Sequence, residues 1–161
     1  MTFPSASPEV IYDLARARFD HQLSAVDSID AKLAGFFGIG SALLGIIAAV
    51  YAIKPDAFKG GGWVVLGLAL IVFIVLSTIC LAGMRPRKWQ TGPVMQEVYN
   101  DHIKLADAEI KWRVTSALLR QHELNRSTYD TKVKSAKASP VLLAILAGLM
   151  VAAVIHVAIQ G

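Results

Sequence analysis

Three uncharged apolar runs limit what this chain can fold into. Leu33–Ile53, Trp63–Met84 and Pro140–Ile159 contain no Asp, Glu, Lys or Arg. At about 1.5 Å per residue, roughly 20 residues cross a hydrocarbon core of about 30 Å, so each run is long enough to span. A backbone in lipid must satisfy its own N–H and C=O groups, which makes each run a helix. Composition agrees, with 55% of the 161 residues hydrophobic and only 17% charged. The expected fold is an all-α integral membrane protein, with three transmembrane helices plus N-terminal and cytoplasmic helices.

Orientation follows from Lys and Arg in the flanks. The link between the first two runs holds Lys54 and Lys59 alone, whereas residues 85–139 hold eleven basic residues, among them Arg85, Arg87, Lys88, Lys132, Lys134 and Lys137. Arg16, Arg18 and Lys32 precede the first run. These counts predict a cytoplasmic N-terminal helix over 1–32, transmembrane helix 1 over 33–53 and an outside loop over 54–62. Transmembrane helix 2 follows over 63–84, a cytoplasmic helical segment over 85–139 and transmembrane helix 3 over 140–159, with the C-terminus outside. The expected location is the inner (plasma) membrane. Glu9, Asp13, Asp20, Asp27 and Asp30 precede the first apolar run, so the N-terminus does not read as a secretory signal.

The polar segments carry helical patterns. Ser7, Pro8 and Glu9 suit an N-cap, a first helical position and a first turn. Tyr12, Ala15, Phe19, Leu23, Val26, Ile29 and Leu33 then recur at three- and four-residue steps. Nothing firmly breaks a helix between Pro8 and Ile53. One long helix entering span one is compatible with this pattern, an amphipathic helix flat on the inner leaflet is the rival, and the sequence leaves continuity with span one open. After the breakers Arg85-Pro86-Arg87 and Thr91-Gly92-Pro93, residues 93–139 read as helical. Ile103, Ile110, Val114, Ala117 and Leu124 form one apolar stripe, and Leu105, Trp112 and Leu119 a second. Two apolar faces fit packing on the N-terminal helix and on a second subunit. A break near Asn125-Arg126-Ser127 would divide this helix, and Ser139-Pro140 is read as the start of span three.

Motifs for chemistry are missing. No Walker, GxGxxG, HExxH or GxSxG pattern occurs, so the sequence supports no enzyme, catalytic residue, metal site or cofactor. No reader motif for nucleic acid is present either. Cys80 reads as a small packing residue. His156, near the outer end of span three, is either an interfacial histidine or a proton-relay group. The lack of charged groups inside the spans argues against a coupled transporter.

Two constellations remain open. Ala34, Gly38 and Ala42, then Ser41, Gly45 and Ala49, and Ala144, Gly148 and Ala152 form small-xxx-small rows that let helices approach closely. They fit contacts within one subunit or the packing of a homo-oligomer through Gly38, Gly45 and Gly148. In the cytoplasmic helix, Arg113, Arg120 and Arg126 lie among Trp112 and Tyr129, as an anion or nucleotide site would need. However, Asp107 precedes Lys111 by four and Glu109 precedes Arg113 by four, the spacing of a solvated helix surface.

The order of features also resembles a known group. Asp30-Ala31-Lys32 stands at the membrane edge before span one, and span two exits through Arg85-Pro86-Arg87. Leu124-Asn125-Arg126 runs through Lys132, Lys134 and Lys137 into the last span. In this order the chain resembles the transmembrane effectors of bacterial Pycsar anti-phage systems (PycTM-type), and more loosely the SLATT-type effectors of related nucleotide-signalled defence. The resemblance implies antiviral defence by disruption of the inner membrane, triggered by cyclic UMP or cyclic CMP from a partner cyclase. The sequence departs from a sensor in showing no β-rich cyclic-nucleotide-binding fold. A ligand would then sit among the cytoplasmic helices, or activation would need another component. A structural or accessory membrane protein that recruits partners through its cytoplasmic helices is the alternative, and a small ion channel a third.

The charge asymmetry carries a direct test. A reporter fused after Gly161 is expected outside the cell, and one inserted near Arg126 in the cytoplasm. Both on one side would overturn the three-span reading.

Overall fold

A computed structural model describes residues 8–53, 56, 61–85 and 106–159, and these hold three helices. Helix α1 is Pro8–Ile53, 46 residues; α2 is Trp63–Met84, 22 residues; α3 is Asp107–Ile159, 53 residues. Each is long and apolar enough to cross a membrane, consistent with a helical membrane protein. The N-terminal helix and span one are thus one continuous helix. Ser7, Lys54, Lys59, Pro86, Arg87, the 91–93 punctuation, Ile103, Lys104 and Leu105 lie outside the described residues. Gly61 has φ of +102° just before α2, a conformation that glycine adopts without Cβ strain.

Helix α3 resolves one open point and corrects one expectation. It runs unbroken past Asn125-Arg126-Ser127, and it does not begin at Pro140 but passes through it. Asn125 is buried, so packing outweighs its weak helix preference. Pro140 removes one backbone donor, a loss that spanning helices tolerate where neighbouring helices and Ser hydroxyls meet the freed groups. Beside it the Ser139 hydroxyl donates to the Ser135 carbonyl at 2.9 Å.

The described residues form two compact units, 8–28 with 106–130 and 29–85 with 131–159. In the first, buried Ala15, Phe19 and Leu118 form a cluster against Tyr12, Leu23 and Val114. The apolar face read from Tyr12 to Leu23 is therefore the packing face of α1. On α3 the packing face is Val114–Leu118, whereas Leu124, Trp112 and Leu119 are exposed. Lys111 adds a polar tie, 2.9 Å from Asp107 of its own helix and 3.6 Å from Glu9 of α1. The hydrogen bond to Asp107 raises the Lys111 ammonium above its ordinary value, with Glu9 adding and burial opposing. A raised lysine contributes stability at all pH values below its ordinary range. That contribution is lost only in strong alkali, as pH rises through the folded value.

In the second unit, Ile47, Tyr51, Ala69, Leu146 and Ala153 form the core. Gly40 and Gly83 mark close approaches between helices. A Cβ at Gly40 would stand 2.5 Å from Leu76 Cδ2, and one at Gly83 would stand 2.7 Å from Leu33 Cδ1 and 3.0 Å from Ser135 Cβ. Cys80 is buried, its Sγ 3.6 Å from Ser139 Oγ, which suits a small packing residue. Large apolar side chains such as Ile71, Ile74, Val141 and Ile155 are exposed outside this core, as a lipid-facing surface requires.

One charge pair is built into this unit. Lys132 Nζ donates to Asp30 Oδ1 at 2.5 Å, with the lysine side chain 3% exposed and the aspartate 37%. Removing one partner of such a pair strands the other charge, whereas replacing both with apolar groups does not. Asp30→Leu is expected to destabilise the detergent-solubilised protein by about 1.5–3 kcal/mol, seen as a lower thermal midpoint. Asp30→Leu with Lys132→Met should recover most of that loss. A single variant as stable as the parent would show that the pair contributes nothing.

Candidate functional site

The first unit holds a cavity of about 590 Å³, within the usual size of small-molecule pockets. Helix α1 lines it with Ala17, Arg18, His21 and Gln22, and α3 with His122, Arg126, Tyr129 and Asp130. Steps of three and four residues put each set on one helix face. The same α1 helix packs Ala15 and Phe19 into the cluster with Leu118, which anchors the backbone that carries Arg18 and Gln22.

Charge and hydrogen-bonding capacity define what this cavity can take. Two guanidiniums against one carboxylate leave a positive balance. Arg126 Nη1 also lies 3.3 Å from Glu123 Oε1, both side chains about two-thirds exposed. A surface pair of that kind is weak and can yield to a better anion. Tyr129 offers an aromatic face. Two buried polar atoms, Gln22 Oε1 and His122 Nδ1, have no hydrogen-bond partner among the described residues.

Of the five residues expected to bind a ligand, the cavity gathers two, Arg126 and Tyr129. Arg113 and Arg120 are exposed and Trp112 is 60% exposed, all outside the lining. Arg113 pairs with Glu109 at 2.8 Å, and with Lys111–Asp107 this follows the spacing of a solvated helix surface. Sequence reasoning missed Arg18, His21, Gln22, His122 and Asp130. Their signal was the spacing 18-21-22 on one helix and 122-126-129-130 on the other. Only the pairing of the two helices makes those faces meet.

The membrane-edge residues divide. Asp30 is engaged by Lys132, Lys32 is exposed and Arg85 caps the end of α2. The His156 ring lies 6.3 Å from that of Tyr51. A Cβ at Gly38, Gly45 or Gly148 would meet nothing within 4 Å, and every residue of the three small-residue rows is exposed. Contacts within one subunit therefore do not use those rows. Gly40 and Gly83, which the rows did not include, serve that purpose. Comparison with family models, curated proteins and solved structures finds no match to this chain.

Proposed function

We propose that this chain is a three-span protein of the bacterial inner membrane and a non-enzymatic effector of anti-phage defence. In this reading the N-terminus and residues 85–139 face the cytoplasm and the C-terminus lies outside. A cyclic pyrimidine nucleotide, cyclic UMP or cyclic CMP from a partner cyclase, enters the cavity and triggers membrane disruption. The observation that carries the reading is the cavity itself. Arg18 and Arg126 suit a phosphate anion and Tyr129 suits a base. A ligand shifts a closed–open balance only through its difference in affinity for the two states. A cavity framed by the two long helices that also carry spanning segments is a suitable place for such a difference to act.

A second reading, an accessory protein that recruits partners, draws on a different feature. Val10, Leu14, Trp112, Leu119 and Leu124 are exposed on the polar unit, and scattered apolar groups of that size suit a docking protein.

Two experiments test these assignments. Cells expressing the chain, given cyclic UMP or cyclic CMP, are expected to depolarise and stop growing. Arg126→Ala, at matched membrane expression, should need roughly tenfold more nucleotide, as loss of a charged hydrogen bond implies. Arg113→Ala should respond like the parent. Unchanged potential with both nucleotides would favour the recruiting protein, and a normal response from Arg126→Ala would remove the cavity from sensing. For assembly, the exposed small rows suit contact between copies of this chain. A Cβ at Gly148 meets nothing within 4 Å, so Gly148→Leu should reduce the size of the solubilised particle. An unchanged particle would assign that row to lipid.

A further inference from the structure

We propose that the charged edge of the second unit binds the phosphate headgroups of anionic phospholipids, through a rim made of Lys32, Arg85, Lys134 and Lys137. The partner is a lipid surface of stated charge. The inference does not depend on what the cavity of the first unit takes, and its failure would leave that cavity untouched.

The three helices change character at one height. Along the sequence, charge stops at Lys32 on α1, resumes at Arg85 after α2 and stops again at Lys137 on α3. The fold brings these separate boundaries together. A Cβ at Gly83 would stand 2.7 Å from Leu33 Cδ1 and 3.0 Å from Ser135 Cβ, so residues 33, 83 and 135 share one level. Lys32 adjoins Leu33, Lys134 adjoins Ser135, and Arg85 follows Gly83 by two residues. Lys137 lies two residues further along α3, about 3 Å of helical rise. All four side chains belong to exposed residues, whereas Leu33 and Gly83 are buried. A level at which three uncharged spans end together is the edge of the hydrocarbon, where lipid phosphates lie. Long basic side chains at that height keep their stems in the apolar layer and their charges among the headgroups.

Charge decides what this rim fits. Most cations of the first unit pair with carboxylates: Arg16 with Asp20, Lys111 with Asp107, Arg113 with Glu109 and Arg126 with Glu123. The second unit lacks the acids to do the same. Its acidic residues are Asp30 and Asp56 alone, and Asp56 precedes α2, at the opposite end of that helix from Arg85. Asp30 is held by the buried Lys132, so the one carboxylate at this edge is already neutralised. Lys32, Arg85, Lys134 and Lys137 have no ion pair among the described residues. Unpaired cations on all three helices thus present one sign of charge at phosphate height. Each basic residue close to an anionic membrane surface strengthens binding by roughly fivefold.

The test titrates the full chain in detergent with phosphatidylglycerol or with phosphatidylcholine of the same acyl chains, and follows bound lipid by native mass spectrometry. The parent is expected to bind phosphatidylglycerol at least roughly tenfold more tightly at low salt. That preference should shrink at about 1 M salt, where screening acts within about 3 Å. Lys32→Gln, Arg85→Gln and Lys134→Gln combined should bind the two lipids nearly alike. Arg16→Gln, Arg113→Gln and Arg120→Gln combined remove the same charge from the first unit and should keep the parent's preference. Equal binding of both lipids by the parent overturns the inference, as does an equal loss of preference in the two triple variants. Glycerol 3-phosphate at the lipid's concentration should not displace it; displacement would make the rim a free-phosphate site and overturn the lipid assignment. If the rim triple fails to fold, Arg85→Gln alone should reduce the preference several-fold, and an unchanged preference would overturn the proposal.

Discussion

One line of burial along α3 underlies the rest of this protein. Leu118, Asn125, Lys132, Ser139, Leu146 and Ala153 are buried in turn at steps of seven. On α1, Ala15, Phe19, Gln22, Val26, Ile29 and Leu33 are buried at alternating steps of four and three. Seven-residue periodicity keeps a single seam of a helix against its neighbours, because two turns of 3.5 residues return to the same side. Burial along such a seam holds the helical backbone together where local propensity is weak. This explains why α3 passes through both Asn125-Arg126-Ser127 and Pro140 without ending.

The chemistry of that seam changes along the chain, and its changes assign roles. Where it is apolar, as at Leu146, Ala153 and Ile47, it builds a core that surrounds itself with lipid-type side chains. Where it is polar, each side chain needs a partner of its own. Lys132 has Asp30 and Ser139 has the Ser135 carbonyl. Gln22, on the α1 seam, has none for its oxygen among the described residues. The two kinds of polar position therefore differ in physical meaning. A satisfied group fixes register between helices, and an unsatisfied one adds a cost that the surrounding apolar burial offsets.

Glycine usage shows the same division between inward and outward faces. Gly40 and Gly83 sit where a side chain would collide, and Gly38, Gly45 and Gly148 sit in open space. Small residues inside a spanning helix thus do two separate jobs here. Inward, they let the helices of one chain close on each other, and outward they leave a smooth surface.

Much of this was legible in the sequence, and the reason is local. Span length and the lack of charge determine three helices by themselves, because lipid leaves the backbone no other solution. The α1 face from Tyr12 to Leu33 was readable because its period is a property of one helix. Pairings of one helix with another were not readable. Asp30 with Lys132 is a contact across 102 residues, and Arg18 with Arg126 share a cavity only because α1 and α3 lie side by side in the polar unit. Which of several arginines meets a neighbour, and which glycine is crowded, depends on the rotation of each helix about its own axis. Sequence spacing states which residues share a face. Only the tertiary structure decides what that face looks at, because packing against a second helix selects the rotation.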